Sequence, residues 1–181
     1  MTTKNKFDQL VITYLNKNKI ASIEEMKTTL NTQSRMTVFR RLRKLDYISS
    51  CSHSGKYYSL SRIAKYNYYG LWGIKSVLFS KYGTLKKTVD VLVSQSNSGY
   101  TASELNEILT IKVDDVLLEL TKNKVIKRKK IFGVYVYLSS GSICAKKQEL
   151  TRKDCIQYKD DLKMRPEILM NELNAYSAHI N

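Results

Sequence analysis

Proline is almost absent: Pro166 is the only one in 181 residues, and the seven glycines are scattered. The chain therefore has no Pro- or Gly-rich linker of the usual kind. Cysteine is scarce and odd in number, with Cys51, Cys144 and Cys155 but no Cys-x-x-Cys pair, and His53 and His179 are the only histidines. A structural zinc site needs four such ligands in close pairs, so no metal and no other cofactor is expected, and the thiols are expected to be unpaired in a reducing compartment. No apolar run reaches the roughly 18–20 residues of a membrane span. Met1-Thr-Thr-Lys-Asn-Lys leads into an amphipathic segment without an apolar signal core, so the expected location is cytoplasmic, nucleoid-associated in a prokaryote, with no membrane contact.

Acidic residues are also few. Against 31 Lys and Arg stand 16 Asp and Glu, a net charge of +15. Lys and Arg displace condensed counterions from phosphates, so a balance this basic points to nucleic acid as the partner. The hydrophobic fraction of 43% is enough for a packed core, which excludes a disordered basic tail.

An internal repeat organises the chain. Ser22-IEEMKTTL30 aligns with Thr101-ASELNEIL109 at an offset of 79. Each begins with a hydroxyl residue three positions before a glutamate, the pattern of a helix capping box. Leu42-RKLDYI48 then aligns with Leu120-TKNKVI126, and Gly55-KYYSLS61 with Gly133-VYVYLS139, both at an offset of 78. Each copy reads as three helices followed by a two-stranded hairpin. In the first, Phe7, Leu10, Val11, Tyr14 and Leu15 form one apolar stripe. Ile20-Ala21 suggests a short strand before the capped helix. Val38, Phe39 and Leu42 face inward from a third helix, and strands at 47–50 and 57–60 flank a His53-Ser54-Gly55 tip. The second copy repeats this with Leu85, Val89, Leu92 and Val93, with Leu105, Ile108 and Leu109, with Val113, Val116, Leu117 and Leu120, and with strands at 125–131 and 134–138.

This element order over 5–61 and 84–139 resembles the winged helix-turn-helix family. The resemblance implies a mainly α fold with small β-hairpins (α+β): two winged helix-turn-helix domains in tandem plus a C-terminal helical tail. The expected boundaries are 1–62 and 84–140 for the two domains, 63–83 for an aromatic connector packed between them as an extra strand or helix, and 141–181 for the extension. Gly70-Leu71-Trp72, Phe79-Ser80, Gly83-Thr84-Leu85, Glu104-Leu105 and Tyr135-Val136-Tyr137-Leu138-Ser139 also look like winged-helix segments that accompany bacterial transposases. No acidic triad of such a nuclease is present, so that likeness implies the DNA-binding part alone.

In such a fold the third helix enters the major groove. Beyond its inward positions, the first copy leaves Arg35, Met36, Thr37, Arg40, Arg41, Arg43 and Lys44. Ser34, Arg35, Thr37, Arg40 and Arg41 are candidates for base contact, since arginine pairs bidentately with guanine and a threonine methyl meets thymine. Arg43 and Lys44 are candidates for phosphate. His53, Ser54 and Lys56 at the wing tip reach either backbone or minor groove, although wing tips are polar in any case. The second third helix instead exposes Asp114, Asp115 and Glu119, which phosphates repel. Its wing carries the densest basic run, Lys127-Arg128-Lys129-Lys130, suited to phosphate.

Of thirteen tyrosines, seven cluster at 57–58, 66–69 and 135–137, where they either stack on unpaired bases or serve as ordinary strand residues. No Gly-rich phosphate loop or nucleophile motif occurs, and the adjacent pairs Asp114-Asp115 and Asp160-Asp161 place their carboxylates on different helix faces, so no catalytic residue is expected. The expectation is a double-stranded DNA-binding protein, either a sequence-specific transcriptional regulator or a mobile-element accessory factor. The alternatives are a protein-interaction scaffold of a larger complex and an RNA or single-strand binder. Further expected partners are a protein held by the second domain and a second copy of the chain. Ile168, Leu169, Leu173 and Tyr176, in the segment that Pro166 opens, either dock on the chain itself or join a homodimer.

Overall fold

Both predicted capping boxes form. Ser22 Oγ accepts from the Glu25 N–H while the Glu25 carboxylate accepts from the Ser22 N–H at 2.6 Å, and Thr101 and Glu104 repeat the exchange. Each box satisfies otherwise orphaned donors and fixes where its helix starts. A computed structural model describes residues 3–164 and shows a mixed α+β fold, with seven α-helices and three small antiparallel sheets among those residues.

The chain runs α1 (Thr3–Asn18), β1 (Ala21–Ser22), α2 (Ile23–Thr29), α3 (Arg35–Leu42), β2 (Tyr47–Ser49) and β3 (Tyr57–Leu60). It continues with β4 (Leu71–Ile74), β5 (Val77–Ser80), α4 (Leu85–Gln95), β6 (Tyr100–Thr101), α5 (Ala102–Leu109), α6 (Asp114–Lys122), β7 (Ile126–Ile131), β8 (Val134–Ser139) and α7 (Ser142–Met164). The sheets are ordered β1-β3-β2, β4-β5 and β6-β8-β7, so the first and third share one topology.

Strand pairing corrects the repeat alignment in the hairpins. Ala21 pairs with Tyr58 and Tyr100 pairs with Tyr137, which makes Tyr58 the counterpart of Tyr137 at an offset of 79 rather than 78. Both tyrosines are buried against their own helices. A one-residue slip exchanges the two faces of a strand, so burial of the ring decides the register. The short strand before α2 likewise begins at Ala21, because Ala21 and Ser22 are the residues that face β3.

The first core gathers Val11 and Leu15 of α1, Met26 and Leu30, Val38 and Leu42 of α3, and Tyr58 and Leu60. The second gathers Val89, Leu92 and Val93 of α4, Leu105 and Leu109, Leu117 and Leu120 of α6, Ile126 and Tyr137. Residues 71–80 form a hairpin with one face in the second core and the other in a separate apolar cluster. Val77 and Phe79 pack with Ile20, while Leu71 and Leu78 enter the second core beside Cys51. Alternation along β5 sends successive side chains to opposite faces, which is why all four of its residues are buried. Phe79 is fully buried with Trp72 at 5.1 Å, a burial worth roughly 2–3 kcal/mol.

The hairpin also makes backbone contact with the first repeat. The Leu78 carbonyl accepts from the N–H groups of Cys51 and Ser52, and the Leu78 N–H donates to Ser52 Oγ at 2.9 Å. Burial pushes the Cys51 thiol up to about 11.

Helix α7 lies on the third sheet, with Ala145 and Ile156 against Ile131, Val136 and Leu138. Buried Gln148 accepts from the Ser139 N–H and donates to the carbonyls of Val93 and Ser96. Arg152 donates to the carbonyls of Ser98 and Gly99 and to both carboxylate oxygens of Glu104. Pro166 and the apolar segment behind it lie outside the described residues.

Candidate nucleic-acid interface

Helix α3 starts at Ser34, whose hydroxyl accepts from the Thr37 N–H at 3.3 Å. Val38 and Leu42 anchor its inner side, leaving Ser34, Arg35, Met36, Arg40, Arg43 and Lys44 exposed and Thr37 half-buried. Arg35 sits 5.3 Å over the ring of Phe39, one turn on, which holds the guanidinium near the start of the helix.

Arg41 requires a correction. Its side chain turns inward rather than outward, with 16% exposure, and reaches Asp8 of α1 at 3.5 Å while covering the ring of Phe7 at 5.4 Å. Position 41 lies three residues beyond buried Val38, on the flank that α1 covers, and a long cation there finds its partners inside the chain. Asp8 and Phe7 are over thirty residues away, beyond the reach of local periodicity.

The turn between β2 and β3 rises as a short 3₁₀ segment, His53–Gly55, with His53 and Ser54 in left-handed backbone. Ser52 Oγ lies 2.9 Å from His53 Nδ1 and also accepts from Leu78, so the tip is rooted in the connecting hairpin. His53, Ser54 and Lys56 are exposed. Arg35 at the start of α3 and Lys56 at the tip line the same groove, about 260 Å³ in volume, together with Ser22, Ile23, Glu24, Ser54, Gly55 and Tyr58. Glu24, at its rim, is paired with Lys27 at 3.0 Å.

In the second repeat, Asp114 and Asp115 occupy the first turn of α6, where the helix dipole favours them. They are exposed, Glu119 is bound by Lys86 at 2.6 Å, and Leu118 is 64% exposed. The basic run on β7 is divided by the strand's own alternation. Lys127 and Lys129 face α7, where Lys127 meets Ser142 at 3.4 Å and Lys129 meets Glu149 at 2.6 Å. Hydrogen bonds from Lys129 and Lys153 hold the Glu149 carboxyl below the usual carboxylate range. Arg128 and Lys130 take the other face and flank Tyr135 at 4.6 and 6.0 Å. All four cations remain exposed.

One contributor was not among the sequence candidates, and one aromatic candidate took a different place. Glu149 tempers Lys129 across a separation of twenty residues that leaves no local signal, whereas the placement of Tyr135 between two cations follows from strand pairing. Among the described residues no helix is long and apolar enough to cross a membrane, and no group of three or more His, Cys, Asp and Glu side chains is arranged for a metal ion. No protein family, curated protein or solved structure matches the chain.

Proposed function

We propose that this chain binds double-stranded DNA as a tandem winged-helix protein, with α3 as the groove-reading helix and the β2–β3 hairpin as its wing. The observation that carries this reading is the shared groove of Arg35 and Lys56, which joins the start of a basic exposed helix to a basic exposed tip. An α-helix with its side chains is about 10–12 Å across and fits a major groove about 12 Å wide, so α3 is of a size to enter it. In this reading Arg35 and Arg40 meet base edges beside Ser34 and Thr37, Arg43 and Lys44 hold phosphate, and His53 and Lys56 follow the backbone. Arg128 and Lys130 supply further phosphate contact, with Lys127 and Lys129 partly engaged by α7. The biological role is regulation of transcription or assistance to a mobile element, in the cytoplasm.

Binding to duplex and single-stranded oligonucleotides across a salt series tests this. The duplex should bind more tightly, with log K falling against log salt by roughly 0.9 per phosphate contact. Equal or tighter binding to the single strand would favour the stacking alternative instead. A second reading, a protein-binding scaffold, rests on α6, whose exposed Leu118 lies between Asp114, Asp115 and Glu119. Absence of any nucleic-acid binding at low salt would leave that reading in its place.

A further inference from the structure

Among the described residues, helix α7 is held along one side. Ala145, Gln148, Arg152 and Ile156, spaced at three and four residues, pack or hydrogen-bond against the second repeat. About half a turn away, Ile143, Lys147, Leu150, Asp154 and Tyr158 form a second stripe at the same spacing. Ile143 is 88% exposed, Leu150 61% and Tyr158 55%, and Lys147 and Asp154 are exposed as well. Large apolar side chains aligned at helical spacing on the outer face of a docked helix mark an interaction surface rather than a solvated one.

The charges on this stripe identify the occupant. Lys147 and Asp154 have no ion pair among the described residues. In an antiparallel pair of α7 helices with Leu150 meeting Leu150 at the two-fold axis, Lys147 of each copy lies beside Asp154 of the other. The same register sets Ile143 beside Tyr158. A parallel pair would instead oppose lysine to lysine and aspartate to aspartate. Such a stripe is self-complementary in one orientation only, as an isologous contact requires.

We propose that the outer face of α7 is a homodimer interface in which two copies pair antiparallel through Ile143, Lys147, Leu150, Asp154 and Tyr158. The surface is on the opposite side of the helix from its contacts with the second repeat, and self-association through it does not depend on DNA binding.

Sedimentation equilibrium of the full chain, with a charge-swap set, tests the proposal. The unaltered protein should show a monomer–dimer equilibrium below about 100 µM. Lys147→Glu alone or Asp154→Lys alone should weaken dimerisation about tenfold or more, since each places like charges opposite one another twice. An equimolar mixture of those two variants should recover a heterodimer of unaltered strength, because each introduced charge then meets its opposite. Far-UV circular dichroism verifies that the variants keep their helices. A full-length monomer at the highest concentration overturns the proposal. So does a dimer indifferent to both single changes, or a mixture that fails to recover.

Discussion

Arg152 holds Glu104 with both arms of its guanidinium, Nη1 to Oε1 at 2.8 Å and Nη2 to Oε2 at 2.7 Å. Oε2 also accepts from the Thr101 N–H, so one carboxylate closes the capping box of α5 and ties that helix to α7. Burial alone would raise the Glu104 pKa, but the hydrogen bonds from Arg152 and Thr101 outweigh it and hold the group below its ordinary value. Arg152→Ala should destabilise the protein by about 1–2 kcal/mol, the worth of a partly exposed bidentate pair with its backbone bonds. Urea denaturation provides the measurement, and an unchanged midpoint would contradict the account.

The same pair sets a pH dependence. Because the folded-state pKa of Glu104 is depressed, its contribution is complete above the unfolded value near 4.5 and is lost as pH falls through the folded value. Glu149, depressed by Lys129 and Lys153, acts in the same direction. Thermal midpoints should therefore decline as pH is lowered below about 4.5, and the decline should be shallower in Glu104→Gln, which cannot titrate there.

Two neighbouring arginines should behave differently. Arg40→Ala should weaken duplex binding with little change in stability, a lost base or phosphate contact being worth about 1–3 kcal/mol. Arg41→Ala should chiefly lower stability, since it leaves Asp8 and Phe7 of α1 without their cation. Binding isotherms and melting curves of both variants separate the roles. Equal binding losses with equal melting points would refute the distinction.

Gly99 has a φ of +67°, and a Cβ built there would lie 2.5 Å from the Tyr137 carbonyl oxygen. That neighbour is backbone in β8 and cannot swing aside. Gly99→Ala should cost about 2 kcal/mol or more, combining left-handed strain with displacement of the strand. Gly133→Ala, at φ +84° with no neighbour within 4 Å, should cost less. The ordering of the two midpoints is the test.

The cysteines should react in order of exposure. Cys155 is exposed, Cys144 intermediate and Cys51 buried with its pKa raised to about 11. A thiol reagent at neutral pH should modify Cys155 first and leave Cys51 untouched until the protein unfolds, because the thiolate is the reacting form. Peptide mapping over time reads this directly, and early labelling of Cys51 would place the connecting hairpin elsewhere than against it.

Sequence by itself determined what is local. Ser22 with Glu25 and Thr101 with Glu104 announce helix starts, because a cap and its partner lie within one turn. Three- and four-residue apolar spacing gave both sets of helices, and the basic face of α3 was legible because a helix displays its outward residues in order. Tertiary structure decided what depends on distant partners. Arg41 turned inward because Asp8 waits on α1, and Lys129 was tempered because Glu149 lies across from β7. The aromatic connector became a hairpin buried on both faces, since the second core covers one side of β5 and a separate cluster around Ile20 of the first repeat covers the other. The hairpin register, too, was settled by burial of Tyr58 and Tyr137. Periodicity shows which face of an element is apolar. What that face meets depends on free energy shared among segments remote in the chain, and this is decided only when they pack together.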